Sequence, residues 1–384
     1  MKRRLIALLA RMRLHIPHTK LSSQGALVGN RVVVVVLVIG SLLSGCQKEG
    51  SSRIFYASMG DDSTSSVDTV DGAPSSPQQK GEGVIKWVEF TPTVQAMNDA
   101  LQADIAWETA FPGKPHTTWI EILALYSARN GGSYRQYRSS SASLLVDKIN
   151  EGENPSSLTK NKKLYEYYCL AYSAALSGMV GPYTKVTVAA DGKETRTQEY
   201  GLRVFLPIAK GYSYTDYDDF GAARSYGYRR PHLGHDLLGS VGTPVIAIEG
   251  GYIEHLGWNQ YGGWRIGIRS FDGKRYYYYA HLRAGHPYTQ ISEGDIVHAG
   301  EVIGYLGMTG YSRKENTNGI NVPHLHLGMQ LIFEASQIEG WNQIWLDLYQ
   351  LVRFFGGNAS ETICSEDGKE RVSKVYYEYP EEPD

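Results

Sequence analysis

Cysteine is scarce in this chain, with three in 384 residues, at positions 46, 169 and 364. None has the spacing of a metal ligand, which excludes a cysteine-rich zinc module, and three cysteines cannot build a disulfide framework. A Cys169–Cys364 bridge is chemically allowed outside the cytoplasm. However, Cys169 sits in the apolar helical pattern YEYYCLAYSAAL, which suits a buried reduced thiol. Charge of one sign is also lacking. Lys and Arg total 38 against 40 Asp and Glu, a formal net charge of −2. Nothing there argues for nucleic acid as a partner. Long apolar runs are missing apart from VVVVVLVIGSLL at 32–43, shorter than the roughly 20 residues that span a bilayer. Phenylalanine is sparse, at 9, whereas tyrosine reaches 28. Tyrosine in such numbers suits half-buried strands and wet grooves that bind polymers.

Acidic residues are absent before Glu49, while Lys2, Arg3, Arg4, Arg11, Arg13, Lys20 and Arg31 are present. A basic region, a short apolar run and small residues form an export signal. Leu43-Ser44-Gly45-Cys46 resembles the lipobox of bacterial lipoproteins. The expectation is a signal segment over 1–46 and an extracytoplasmic protein anchored to the cell membrane, by lipid at Cys46 or by the apolar segment itself. Residues 47–83 are rich in Ser, Gly, Asp, Gln and Pro. They cannot bury a core and read as a flexible tether.

Residues 84–183 carry helical periodicity. In TPTVQAMNDALQADIAWE (91–108) apolar residues fall at 94, 97, 101, 105 and 106, and Thr91 or Thr93 can cap the helix. HTTWIEILALYSARNGG (116–132), SASLLVDKIN (141–150) and 158–181 give three more. This predicts a helical domain without clustered His, Cys or acids, a scaffold or a docking module for a protein partner. From 200 to 333 short apolar strands alternate with turn glycines, and Asp272-Gly273 predicts a hairpin. The expected architecture is α+β, a helical domain followed by a mostly antiparallel β domain with an open groove. Residues 334–384 predict a C-terminal helix over 341–355 and a frayed acidic tail.

Three stretches carry chemistry: HLGHD (232–236), YYYYAHL (276–282) and HLHLG (324–328). Catalytic Zn²⁺ takes three ligands from His and carboxylate and keeps a fourth position open. His232 and Asp236 can supply two of them. On a strand, residues two apart share a face, so His324 and His326 look into one site. That supplies one more ligand and one free imidazole, with His281 the second. His235 reads as a supporting or surface residue rather than a ligand. His255, His286 and His298 read as turn or surface histidines.

Together with DDFGAAR (218–224), GTPVIAIEGGYIEHLGWNQYGG (242–263), EGDIVHAGEVIGYLGMTGYS (293–312) and PHLHLG (323–328), these stretches resemble the lysostaphin/LytM-type zinc endopeptidases. That family cuts peptides of bacterial peptidoglycan, and the resemblance spans about a third of the chain. It implies that His232, Asp236 and His326 bind Zn²⁺, that His281 and His324 are the catalytic imidazoles, and that peptidoglycan peptides are the substrate. Over its full length the chain resembles exported proteins of Clostridia-like bacteria. Some relatives have lost ligands and act as silent wall-binding or activating modules; this chain shows no such loss.

Overall fold

The computed structural model describes residues 86–189, 191–226, 228–338, 343–365 and 368–382. The signal and tether expected over 1–83 lie outside them. Among the described residues no helix is long and apolar enough to cross a membrane.

Strand β1 (Lys86–Val88) leads into four helices, α1 (Val94–Ala110), α2 (Trp119–Asn130), α3 (Ser139–Asn150) and α4 (Lys162–Leu176). Their ends follow local chemistry. Thr93, not Thr91, caps α1 by accepting from the Ala96 amide at 3.3 Å. Thr118 and Glu121 form a reciprocal capping box on α2, and Gly131 ends that helix at φ 61°. Asn161 caps α4.

The β region follows as β2 (Val180–Val188), β3 (Glu194–Leu202), β4 (Thr215–Asp216), β5 (Ala223–Tyr226), β6 (Tyr228–Pro231), β7 (His235–Leu238), β8 (Pro244–Ile246) and β9 (Gly251–Asn259). Then come β10 (Gly263–Ser270), β11 (Arg275–Ala280), β12 (Ile296–Val297), β13 (Val302–Tyr305) and β14 (His324–Leu331). The chain closes with β15 (Ile344–Leu346), α5 (Tyr349–Phe355), β16 (Thr362–Cys364), β17 (Arg371–Ser373) and β18 (Val375–Glu378). A nine-stranded sheet runs β1-β15-β14-β11-β10-β9-β12, with β7 on β14 and β4 on β7. Its pairings are antiparallel except β1 with β15. The expected Asp-Gly turn joins β10 to β11, with Gly273 at φ 71°.

Strand β11 is buried on both faces, which explains its tyrosine run. Tyr277 and Tyr279 enter the main core, while Tyr276 and Tyr278 pack with Leu233 and Trp345 on the other face. Buried hydroxyls need partners. Tyr277 donates to Glu249 at 2.6 Å, and Tyr279 accepts from the Ile248 amide at 3.0 Å.

The helices and the sheet share one apolar cluster. Met97, Leu123 and Leu176 belong to it together with Ile266, Leu327 and Phe355. Trp119 stacks on Phe354 with ring centroids 5.9 Å apart. Buried Asp104 binds the two parts further. It accepts from the Trp119 amide at 2.7 Å and the Tyr200 hydroxyl at 2.7 Å, and its Oδ1 lies 2.9 Å from His116 Nε2.

Two expectations need correction at the C-terminal end. The segment 341–355 is not one helix, because Ile344–Leu346 is a strand paired with β14 and β1. Helix starts only at Tyr349. The apolar run satisfies a buried strand as well as a helical face, and the open edge of β14 decides between them. Nor is the acidic tail frayed over its described part. Strand β18 pairs with β2, Tyr379 is buried, and Glu381 holds Arg203 with two hydrogen bonds of 2.9 and 3.0 Å.

Candidate metal centre

Strand register brings the central residues together. In the β7–β14 ladder His326 stands opposite Asp236, and across β14 it stands opposite Ala280, the residue before His281. His232 precedes β7 and is tied by its backbone to the DDFGAAR segment. Its amide donates to Ala222 at 2.8 Å, and its carbonyl accepts from Gly221 at 2.7 Å. Gly234 lets this turn close: a Cβ there would lie 2.4 Å from His326 Cε1 and 2.7 Å from the Leu327 carbonyl oxygen.

Three ligand atoms converge. Asp236 Oδ1 lies 3.1 Å from His232 Nε2 and 2.9 Å from His326 Nδ1, and the two nitrogens are 3.2 Å apart. Tetrahedral zinc with His and carboxylate ligands at about 2.0–2.1 Å has edges of about 3.3 Å, so the triangle is close to the required size. The donor set, two imidazoles and one carboxylate, also suits zinc. His232 Nδ1 is 3.0 Å from Asp219 Oδ1, the carboxylate support that metal-binding histidines usually have. Arg224 bonds Asp219 and lies 3.4 Å from Asp236 Oδ2, holding both acids.

The electrostatics agree with a cation site. Burial opposes charge on His232, but its hydrogen bonds to Asp219 and Asp236 outweigh it and raise its pKa to about 9. Burial works against the Asp236 carboxylate as well, yet bonds from His232 and His326 hold its pKa far below the carboxylate range. His326 is lowered, mainly by burial. The pocket therefore favours positive charge where the ligand atoms meet.

Beside this triangle stand His281 and His324, with ring centroids 4.7 Å apart. His281 follows the end of β11 in the left-handed region at φ 62°, a conformation rare for a side chain of this size and concentrated at functional sites. Its Nδ1 is 2.9 Å from the Thr309 carbonyl oxygen, and His324 Nδ1 is 2.8 Å from that of Val322. A carbonyl only accepts, so both rings carry their proton on Nδ1 and leave Nε2 for chemistry. Burial, and then the neighbouring His324 and His326, depress the His281 pKa well below the usual histidine value. The ring is neutral near pH 7.

All five residues singled out by the sequence thus meet in one cleft, with Tyr278, Arg230, Tyr261 and Tyr311 in its walls. Of the β11 tyrosines, Tyr278 is the one that lines it, its ring 6.1 Å from that of His326. His235 is buried, with Nε2 3.2 Å from Asp216, and stands outside the ligand triangle. His286 and His298 pair with Glu370 and with Glu301 and Glu382, while half-buried His255 lies in β9. Cys169 and Cys364 are unbridged, and burial raises the Cys169 thiol to about 11. Asp219 and Thr309 carry no site signal of their own in the sequence, although both fall in segments that carry the resemblance.

Residues 230–338 match peptidase family M23. Over 124 residues, 32% of the chain, the sequence is 44% identical to L-Ala–D-Glu endopeptidase of Bacillus subtilis (strain 168), covering 36% of that protein. Over 131 residues, 34% of the chain, it is 36% identical to lysostaphin of Staphylococcus simulans, covering 23% of that protein. The chain therefore spans about a third or less of these relatives. The solved catalytic domain of Staphylococcus simulans lysostaphin is 32% identical, matched over 36% of this chain and 92% of that one, with a TM-score of 0.29.

Proposed function

We propose that this chain, which carries a peptidase family M23 domain over residues 230–338, is a zinc-dependent endopeptidase that hydrolyses peptide bonds of peptidoglycan at the bacterial cell surface. One observation carries the reading: three ligand atoms within 2.9–3.2 Å of one another, beside two imidazoles that each keep Nε2 uncommitted. The relatives, an L-Ala–D-Glu endopeptidase and lysostaphin, support a peptide substrate.

His232, Asp236 and His326 would hold the zinc. When bound, the ion supplies Lewis-acid polarisation of the scissile carbonyl and brings the pKa of water towards neutrality. The rest falls to the protein. His281, neutral and fixed by Thr309, accepts the proton of the attacking water at Nε2 and returns it to the leaving amine. His324, at the more open side with Nδ1 held by Val322, flanks the developing oxyanion, to which a tyrosine hydroxyl of the cleft wall can donate. Buried Ala280 and Tyr278 exclude bulk water from the floor and strengthen these interactions. The basic leader and Cys46 support attachment to the membrane, with 47–83 giving reach into the wall.

Purified protein incubated with peptidoglycan from several wall types is expected to release soluble peptides, to stop with chelator and to resume with Zn²⁺. Absence of release from every wall by zinc-loaded protein would count against the endopeptidase.

A further inference from the structure

Resting on the membrane attachment proposed above, and not on catalysis, we infer that one end of the helical bundle is a docking surface for an anionic lipid bilayer. Its cations are Arg129, Arg135, Arg138, Lys160, Lys162 and Lys163.

These residues come from two stretches, 129–138 and 158–163, which contain no acid. The fold joins them. Helices α2 and α4 run antiparallel, with Ser127 Oγ 2.7 Å from the Tyr172 hydroxyl. Gly132 sits so close to Tyr168 that a Cβ there would lie 2.1 Å from its hydroxyl oxygen. Arg129 donates to the Leu158 carbonyl. On the side of α1, Tyr137 donates to Asp99 at 2.8 Å, and Gln95 Nε2 donates to Ser139 Oγ at 3.3 Å. All six cations are exposed, and among the described residues none of them pairs with an acid. Tyr137, Tyr167 and Tyr168 stand half-buried at the same end, the last two with ring centroids 4.9 Å apart.

Stability of the chain alone does not explain these positions. Helix α2 follows the ordinary rule, with Glu121 in its first turn and Arg129 in its last. Helices α3 and α4 break it. Arg138 stands at the N-cap of α3 without a side-chain cap bond, Lys162 and Lys163 open α4, and neither first turn holds an acid. The positive end of each helix repels these cations, and an anionic surface outside the chain offsets that repulsion. The kind of partner follows from where the chain enters. Thr91, just after β1, donates to the Gly132 carbonyl at 3.1 Å, so the segment arriving from the tether meets the basic end directly. A Ser/Gly-rich tether with the 37 residues of 47–83 spans about 30–35 Å. It keeps a bilayer at a high effective concentration, which no freely diffusing polyanion matches. Tyrosine also suits the headgroup layer.

The test adds the full-length chain to phosphatidylcholine vesicles, either neutral or with about 30% phosphatidylglycerol. An amine-reactive label, read by mass spectrometry, reports each lysine, so the outcome does not depend on peptide cleavage. On anionic vesicles Lys160, Lys162 and Lys163 are expected to react at least about fivefold more slowly than on neutral ones, whereas exposed Lys193 and Lys314 keep their rates. Salt at about 0.5 M should abolish the difference. R135Q/R138Q, which leaves the three reporting lysines in place, should remove most of the protection with helix content unchanged by circular dichroism. R135Q alone, at an exposed loop position, should remove part of it. Equal labelling on both vesicle types, equal protection of Lys193 and Lys314, or failure to sediment with either vesicle would overturn the inference. Stronger protection by soluble poly(glycerol phosphate) than by anionic vesicles would also overturn it, and would make the partner a wall polyanion.

Discussion

At the scale of single residues, three imidazoles of the centre, those of His232, His281 and His324, have Nδ1 committed, and that commitment bears on the role proposed for each. Thr309 and Val322 hold the Nδ1 protons of His281 and His324, while Asp219 holds that of His232 and leaves Nε2 for the proposed zinc. On the proposed mechanism, substituting His281→Ala removes the proton acceptor but no metal ligand. Zinc content should stay at wild type while kcat falls by about 10²–10⁴-fold, read by metal analysis and single-turnover assays. Loss of the metal together with activity would instead make His281 a ligand. Asp219→Ala should act the other way, weakening zinc by about 10–100-fold in chelator competition. An unchanged affinity would remove Asp219 from the site. The five central residues were legible because residue type, the His-x-His spacing and the motif order are written locally. Asp219 and Thr309 were not, because a carboxylate 13 residues before His232 and a carbonyl 28 residues after His281 act only once the chain has folded.

Elements hold the centre in place through β7, β11 and β14, and here the close approaches matter. Gly234→Ala puts a methyl group into the His326 ring and the Leu327 carbonyl, so β7 must move away from β14. Zinc affinity should fall more than overall stability does, measured by metal titration beside urea unfolding; an unaltered affinity would show that the turn relaxes freely. On the far side of β11, Arg275 is buried with Glu249, paired at 2.8 and 2.7 Å, and Tyr277 donates to the same carboxylate. Both charges are almost fully inaccessible, so removing Glu249 leaves Arg275 with only the longer Nη2 bond to Asp272 at 3.3 Å. Glu249→Ala should destabilise the protein by about 3–5 kcal/mol in urea unfolding, far beyond an exposed pair. A change below about 1 kcal/mol would mean that solvent reaches Arg275. The hydrophobic pattern made β11 recognisable as a strand. It did not show which buried arginine and glutamate would meet, since their 26-residue separation carries no local signal. The same limit explains 341–355: its apolar spacing fits a helix until β14 offers an edge to pair with.

For the molecule as a whole, the acidic C-terminal tail closes back onto the body. Tail residue Glu382 lies 3.3 Å from His298 Nε2, and Glu301 lies 3.3 Å from Nδ1. The Tyr376 ring and, further off, Glu194 complete that surrounding. Burial disfavours the imidazolium, but the two glutamates outweigh it and raise its pKa to about 10. The sign follows by linkage. A histidine whose folded pKa exceeds its unfolded value near ~6.5 binds its proton more tightly in the folded state. Its contribution is complete below about pH 6.5 and is lost as pH climbs towards about 10. The tail should therefore exchange amide hydrogens, after correction for the intrinsic rate, and yield to carboxypeptidase more readily at pH 10 than at pH 6. The bonds of Arg203 to Glu381 do not depend on His298 and retain part of the docking. His298→Ala should bring the pH 6 behaviour close to that at pH 10 and flatten the dependence. A wild-type tail equally protected at both values would show that β18 pairing with β2 and the buried Tyr379 alone hold it. The sequence pattern read this tail as free because its acids have no partners nearby in the chain. Its partners, Arg203 and His298, lie 178 residues and more than 80 residues upstream, brought close by the β2–β18 ladder and by the bridge between Ala299 and Tyr377.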